Sequence, residues 1–191
     1  HSFLLNSPTT TATTRAGNVI GGGDWADDRI VPDCIRAWST GESVEVRSPR
    51  STRPWQHVLE PLSGYLWLSA RMLSDPSLDG EAFNFGPGDQ QDKTVADLLE
   101  SMAGRWPDAN WDIAAADQVG REAVLLKLSC DKALHRLDWR AVLQFPETVG
   151  LTIDWYRTWH ERDADLHQFT TDQIEHYTRL ARSAGLAWAT P

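Results

Sequence analysis

Three consecutive glycines, Gly21-Gly22-Gly23, stand directly behind a run of extended-type residues. That junction constrains the fold more than any other feature of the chain. Thr9-Thr10-Thr11-Ala12-Thr13-Thr14 is almost entirely β-branched, which favours a strand over a helix. The predicted strand continues through Arg15-Ala16-Gly17-Asn18-Val19-Ile20 and stops at the glycines, where a turn using positive φ is expected. The run matches neither a GxGxxG loop nor a P-loop ending in GK[ST]. Asn18 therefore keeps two readings: a turn residue, or an amide at a strand end of an open α/β sheet, placed to meet a phosphate or a sugar hydroxyl.

Beyond the glycines, helix-type and strand-type patterns alternate. A helix is predicted from Ile30, carrying Ile35 and Trp38 and closed by Gly41. Val44-Glu45-Val46-Arg47 alternates as a short strand, and a loop with Arg50 and Arg53 follows it. Pro61 suits the first position of a helix whose apolar stripe is Leu62, Tyr65, Leu66, Met72 and Leu73. Ala82-Phe83-Asn84-Phe85 reads as a strand, Thr94 with Asp97 as a capping box, and Val124 to Leu128 as a further strand. Helices are predicted at Asp131 to Leu137, from Pro146-Glu147 onward, and from a Thr171 cap to Gly185. The alternation makes the class α/β.

Charge and composition narrow the function classes. The 27 Asp+Glu against 18 Lys+Arg give a net charge of −9, which argues against a nucleic-acid surface but leaves room for a small anion held by a few local arginines. No apolar run approaches the length of a membrane span. Cys34 and Cys130 form neither a zinc motif nor a disulfide framework, and a reducing cytoplasm is the expected compartment. Ten tryptophans predict aromatic-rich packing, including a pocket rim.

Among residues that could carry chemistry, Arg53 has the planar fork that bridges two phosphate oxygens, although an exposed surface charge is the alternative. His57 reads as a buried structural histidine. His160, Glu161 and Asp163 are metal-ligand types on what reads as a solvated helix end. The Tyr-x-x-x-Lys pair of short-chain dehydrogenases is absent: Tyr65 is followed by Ser69, Tyr156 by His160 and Tyr177 by Ala181. Neither GxSxG nor HExxH occurs.

Taken together, Arg15-Ala16-Gly17-Asn18-Val19-Ile20-Gly21-Gly22-Gly23-Asp24-Trp25-Ala26, Asp28 to Asp33, and Arg53-Pro54-Trp55-Gln56-His57-Val58-Leu59-Glu60-Pro61-Leu62 resemble the CDP-glucose 4,6-dehydratase family. That family belongs to the extended short-chain dehydrogenase/reductases. Phe83 to Pro87, Glu122-Ala123, Leu126 to Leu128, Lys132-Ala133 and Thr171 to Ile174 extend the resemblance in order. The chain departs from the family pattern at Gly120-Arg121, at Ser129, and at Asp138, which stands at the glycine of a Leu-Gly-Trp turn.

The resemblance implies the C-terminal portion of such an enzyme: the last strands of a Rossmann-type parallel sheet plus a smaller mixed α/β substrate-binding domain. Residues 1–25 would end the NAD-binding domain, 26–191 would form mainly the substrate-binding domain, and 54–88 would return to the Rossmann domain. It further implies a lyase that converts CDP-D-glucose to CDP-4-keto-6-deoxy-D-glucose. NAD would be bound mainly by an upstream half that also holds the Tyr/Lys pair, and the full-length enzyme would be a homo-oligomer. Asn18, Arg29, Arg47, Arg53 and Arg121 would contact substrate, Ala16 and Val19 would flank the nicotinamide, and Glu45 to Arg47 would border the base. No nucleic-acid or membrane partner is expected. Alternatives are another nucleotide-sugar epimerase or dehydratase, and a non-catalytic nucleotide-sugar-binding chain.

Overall fold

The computed structural model describes residues 9–88, 93–114, 128–161 and 164–190. The expected first strand is two strands. β1 (Thr13–Ala16) pairs in parallel with β6 (Ala82–Phe85), whereas β2 (Asn18–Ile20) pairs in parallel with β5 (Trp55–His57). The change of partner falls at Gly17, and the Asn18 amide donates to the Pro54 carbonyl at 3.0 Å to start the second ladder. β3 (Val44–Val46) runs parallel to β8 (Trp111–Ile113), and β4 (Thr52–Arg53) runs antiparallel to β7 (Lys93–Thr94). Parallel ladders interleaved with helices are the α/β architecture that the sequence pattern predicts.

Helix α1 (Ile30–Ser39) buries Val31, Cys34, Ile35 and Trp38, a spacing that places all four on one face. The Trp38 indole donates to the Asn110 carbonyl at 2.8 Å and ties the helix to the strand beside it. α3 (Val95–Ala103) starts with the expected capping box: the Thr94 hydroxyl accepts from the Asp97 amide while the Asp97 carboxylate accepts from the Thr94 amide. α4 (Asp131–Leu137) and α5 (Phe145–His160) lie where the sequence puts them. Only Leu128 of the expected Val124–Leu128 strand falls among the described residues.

Two helices differ from expectation. α2 (Leu59–Met72) begins ahead of Pro61, and its buried face is Glu60, Pro61, Ser63, Gly64 and Leu68. Leu62, Leu66 and Leu73 of the expected stripe are 44%, 73% and 91% exposed. The reason is the approach of the helix to β6. A Cβ on Gly64 would sit 2.3 Å from the Phe85 ring, so small residues face the sheet and the bulky ones turn outward. α6 (Leu166–Ser183) starts at an Asp165 cap, whose carboxylate accepts from the Gln168 amide at 2.9 Å. Thr171 is interior to it and donates its hydroxyl to the His167 carbonyl. Gly185, in the left-handed region, ends this helix as expected.

The interior has two main parts. One gathers Ile35, Trp38, Val46, Trp55, Leu98, Leu99, Ile153 and Tyr156 between α1, α3, α5 and the short strands. The other is aromatic: Phe83, Phe85 and Trp139 pack with Leu68, Leu78 and Leu137. The Phe85 and Trp139 rings meet edge-on at 4.8 Å. Cys34 and Cys130 are free, and burial pushes the Cys34 thiol up to about 12.

Candidate functional site

The glycine run forms the first wall of a cavity of about 500 Å³. Of the three glycines, only Gly23 uses positive φ, at 81°. Gly22 is needed for a different reason: a Cβ there would lie 2.0 Å from the Trp155 ring. The turn is thus pressed onto α5, and Asp24 follows it with its carbonyl accepting from the Tyr156 hydroxyl at 2.6 Å. Asp28 sits at φ 60°, a left-handed position that aspartate tolerates better than most residues.

Four of the residues singled out by sequence meet in this cavity: Asn18, Arg29, Arg47 and Arg53 all line it. Asn18 comes from the start of β2, Arg29 from the residue before α1, Arg47 from the residue after β3, and Arg53 from β4. Arg53 is only 7% exposed, and its guanidinium donates to the Thr52 carbonyl at 2.9 Å. Val19 also lines the cavity. Ala16 does not, and instead closes β1 opposite Phe85. Arg121 lies outside the described residues.

The first turn of α1 opens onto the same space through Ile30, Val31, Pro32 and Asp33. Arg29 caps it without a side-chain hydrogen bond, so the positive end of the helix dipole lies at the residues that line the cavity. Asp33 is drawn aside by Arg36, with which it makes a close ion pair. Such an opening, with two exposed arginines and one buried one, suits a ligand carrying two or more anionic oxygens.

Sequence reasoning missed several lining residues. Trp55 forms an apolar wall, Val95 reaches in from α3, and Asp24 and Asp28 stand on the glycine side. The Trp-rich composition was the available signal for Trp55. Nothing local marks Val95, because it arrives from a distant helix.

His57 behaves as the sequence suggests. It is 2% exposed, burial pushes its imidazole down to about 4, and its Nδ1 accepts from the Leu59 amide. His160 packs edge-on against Trp106 and Trp159. Among the described residues no group of His, Cys, Asp or Glu could hold a metal ion, and no helix is long and apolar enough to cross a membrane.

On α2, and not among the cavity's lining residues, Glu60 builds a closed polar knot. Its carboxylate accepts from the Val142 and Leu143 amides at 2.8 and 2.6 Å, and from the Tyr177 hydroxyl at 2.8 Å. Ser63 joins Tyr177 at 3.0 Å and accepts from the Trp139 indole at 3.0 Å. Burial pushes the Glu60 carboxyl up to about 7 against these hydrogen bonds, and burial also raises Tyr177.

No protein-family model matches the chain. In sequence it is 44% identical over 149 residues to CDP-glucose 4,6-dehydratase of Salmonella typhimurium, covering 78% of this chain and 41% of that protein. In structure it matches UDP-glucuronic acid 4-epimerase from Bacillus cereus, solved with UDP-glucuronic acid and NAD, with a TM-score of 0.68 at 14% identity, over 84% of this chain and 49% of that one. UDP-glucose 4-epimerase from Thermotoga maritima, solved with UDP-glucose, gives 0.62 at 22% identity, over 84% and 50%. The chain thus spans less than half of the curated relative and about half of the solved structures. In sequence it is similar to CDP-glucose 4,6-dehydratase over part of that protein's length, and in fold it is similar to the two UDP-sugar 4-epimerases.

Proposed function

We propose that this chain is the nucleotide-sugar-binding portion of a CDP-glucose 4,6-dehydratase, a cytoplasmic, homo-oligomeric lyase. The reaction is the loss of water from CDP-D-glucose to give CDP-4-keto-6-deoxy-D-glucose. The observation that carries this reading is the convergence of Asn18, Arg29, Arg47 and Arg53 with the amino end of α1 on one cavity. Four sequence segments supply these groups, and each is a donor suited to a sugar diphosphate.

In this reading Arg53 grips the diphosphate. Its burial excludes water, which strengthens each charge-assisted contact, and the Thr52 carbonyl holds the guanidinium in one orientation. The α1 amides and Arg29 take the remaining anionic oxygens. Asn18 holds the sugar end, and Arg47 lies toward the base. With the diphosphate fixed, the hexose is carried past Val19 toward the carboxyl ends of β1 and β6, where ligands of open α/β sheets sit.

A nicotinamide fits beside Ala16 and Val19. Both are small, apolar and partly exposed, and neither brings a charge against a flat ring. When bound, NAD supplies the hydride acceptor and donor that make the elimination possible. The Tyr and Lys that would shuttle the hydroxyl proton are absent from these residues. We assign them to another part of the enzyme, with residues 1–25 completing the NAD-binding domain and 54–88 packing against it. Calorimetric titration of CDP-glucose into the protein tests the reading: micromolar binding is expected, and Arg53→Ala should abolish most of it. Undiminished binding in that variant would remove Arg53 from the site.

A further inference from the structure

Carboxylates repel a diphosphate, yet Asp24, Asp28 and Asp33 all line the cavity. Asp33 is the most awkward of the three. It sits in the first turn of α1, where the positive end of the helix dipole draws in a carboxylate as readily as a ligand anion. Arg36, three residues further along the helix, makes a close ion pair with the Asp33 carboxylate. Arg36 is not itself among the lining residues. The two side chains are 37% and 39% exposed, so the pair is partly shielded from solvent.

The turn after the glycines holds the guanidinium there. Its Nη1 donates to the Trp25 carbonyl at 3.0 Å and its Nη2 to the Ala26 carbonyl at 3.4 Å, with the Asp27 carboxylate also 3.4 Å from Nη2. That turn is anchored in its own right. The Ala26 amide donates to the Asp24 carboxylate at 3.0 Å, and the Trp25 ring meets the Tyr156 ring edge-on at 5.2 Å. The Asp24 carbonyl accepts from the Tyr156 hydroxyl. A planar fork engaged by two carbonyls is held in one orientation, and here that orientation sets its positive charge on Asp33.

We propose that Arg36 is a positioning residue for anion binding: by masking the Asp33 carboxylate, it leaves the amino end of α1 open to the anionic oxygens of the ligand. This rests on the nucleotide-sugar reading above. Arg36 acts through Asp33 and not by touching the ligand. Without it, an anion entering the cavity meets both repulsion from Asp33 and a competitor for the helix end.

The test is a double-mutant cycle read by calorimetric titration with inorganic pyrophosphate and with CDP-glucose. Arg36→Met keeps an apolar stem but drops the charge, and should weaken both ligands about tenfold at low salt. The same substitution made in Asp33→Asn protein should cost less than about threefold, because no carboxylate is left to unmask. Raising the salt should shrink the Arg36→Met loss, since screening weakens repulsion from a half-exposed carboxylate. A merely structural arginine would give the same loss in both backgrounds. Thermal melts establish that each variant is folded, and if Arg36→Met is not, Arg36→Gln carries the same comparison. Unchanged binding in the Arg36 variant, or an equal loss in the Asp33→Asn background, would overturn the role of Arg36 and leave the nucleotide-sugar reading standing. A wild type that binds pyrophosphate but not CDP-glucose would overturn that reading, and the pyrophosphate cycle would then decide on Arg36 alone. Binding of neither ligand would overturn both.

Discussion

The cavity and the knot around Glu60 treat charge in opposite ways. In the knot, one buried carboxylate receives three hydrogen bonds, and every polar neighbour is bonded in turn. At the cavity, Arg29, Arg47, Asp28 and Glu45 are exposed and are left facing the space. The knot joins α2, the segment before α5, and α6 into one unit. The cavity holds its charges apart, so that they are available to a ligand. A buried charge has to be satisfied within the fold, because desolvation is severe, while a rim charge keeps its water until something better arrives.

The contrast can be broken most forcefully at Glu60. Glu60→Ala leaves the Val142 and Leu143 amides and the Tyr177 hydroxyl buried without their acceptor. Stability should fall by roughly 3 kcal/mol or more, read as a lower midpoint in urea denaturation. A loss below about 1 kcal/mol would mean that water replaces the carboxylate and that the knot is dispensable.

A pH series sharpens the same point. Burial raises the folded Glu60 to about 7, above its ordinary 4.5, so the folded state holds the proton more tightly than the unfolded one. Its contribution is fully present below about 4.5 and is lost as pH rises through about 7. His57 acts in the other direction. It is depressed to about 4 from 6.5, so its contribution is present above 6.5 and is lost as pH falls toward 4. The two slopes partly cancel in the wild type. Glu60→Gln removes one of them, so the stability of the wild type relative to that variant should decline between pH 4.5 and 7, by at most about 3 kcal/mol. A flat difference would show that the carboxyl titrates normally.

On the cavity side, Arg53→Ala should weaken CDP-glucose binding by roughly ten- to a hundredfold, the loss of about 1.5–3 kcal/mol in charge-assisted contacts. Arg53→Lys should fall between, since the ammonium cannot bridge two phosphate oxygens. His57→Ala is the comparison: it should lower the melting temperature and leave affinity intact. An affinity loss in a stable His57→Ala protein would place that ring at the ligand.

The smallest effect is expected at Asp138, which ends α4 at φ 50°. Asp138→Gly relieves a left-handed backbone but loosens the unfolded chain, leaving a net gain of about 0.5 kcal/mol in thermal or urea unfolding. Destabilisation instead would show that the Asp138 side chain supports the second core.

Local chemistry alone specified much of this molecule. The 3.6-residue spacing of Val31, Cys34, Ile35 and Trp38, the Thr94–Asp97 box, and the alternation of Val44 to Arg47 each act within a few residues, so they can be read from the chain. The motif from Arg15 to Ala26 and that from Arg53 to Leu62 supplied Asn18 and Arg53 in the same way, through resemblance. Other features depended on partners distant in sequence. The split of the first strand at Gly17 follows from β6 pairing with its first half and β5 with its second. The outward turn of Leu62 and Leu66 follows from Phe85 pressing on Gly64, and the start of α6 at Asp165 rather than Thr171 was missed in favour of a competing cap. Glu60 reads as an ordinary helix-start acid until Tyr177 and the amides of Val142 and Leu143 close around it. Burial and long-range contact are properties of the assembled fold, so the sequence determined which groups were available, and only tertiary packing decided which of them became bonded structure and which were left open to a ligand.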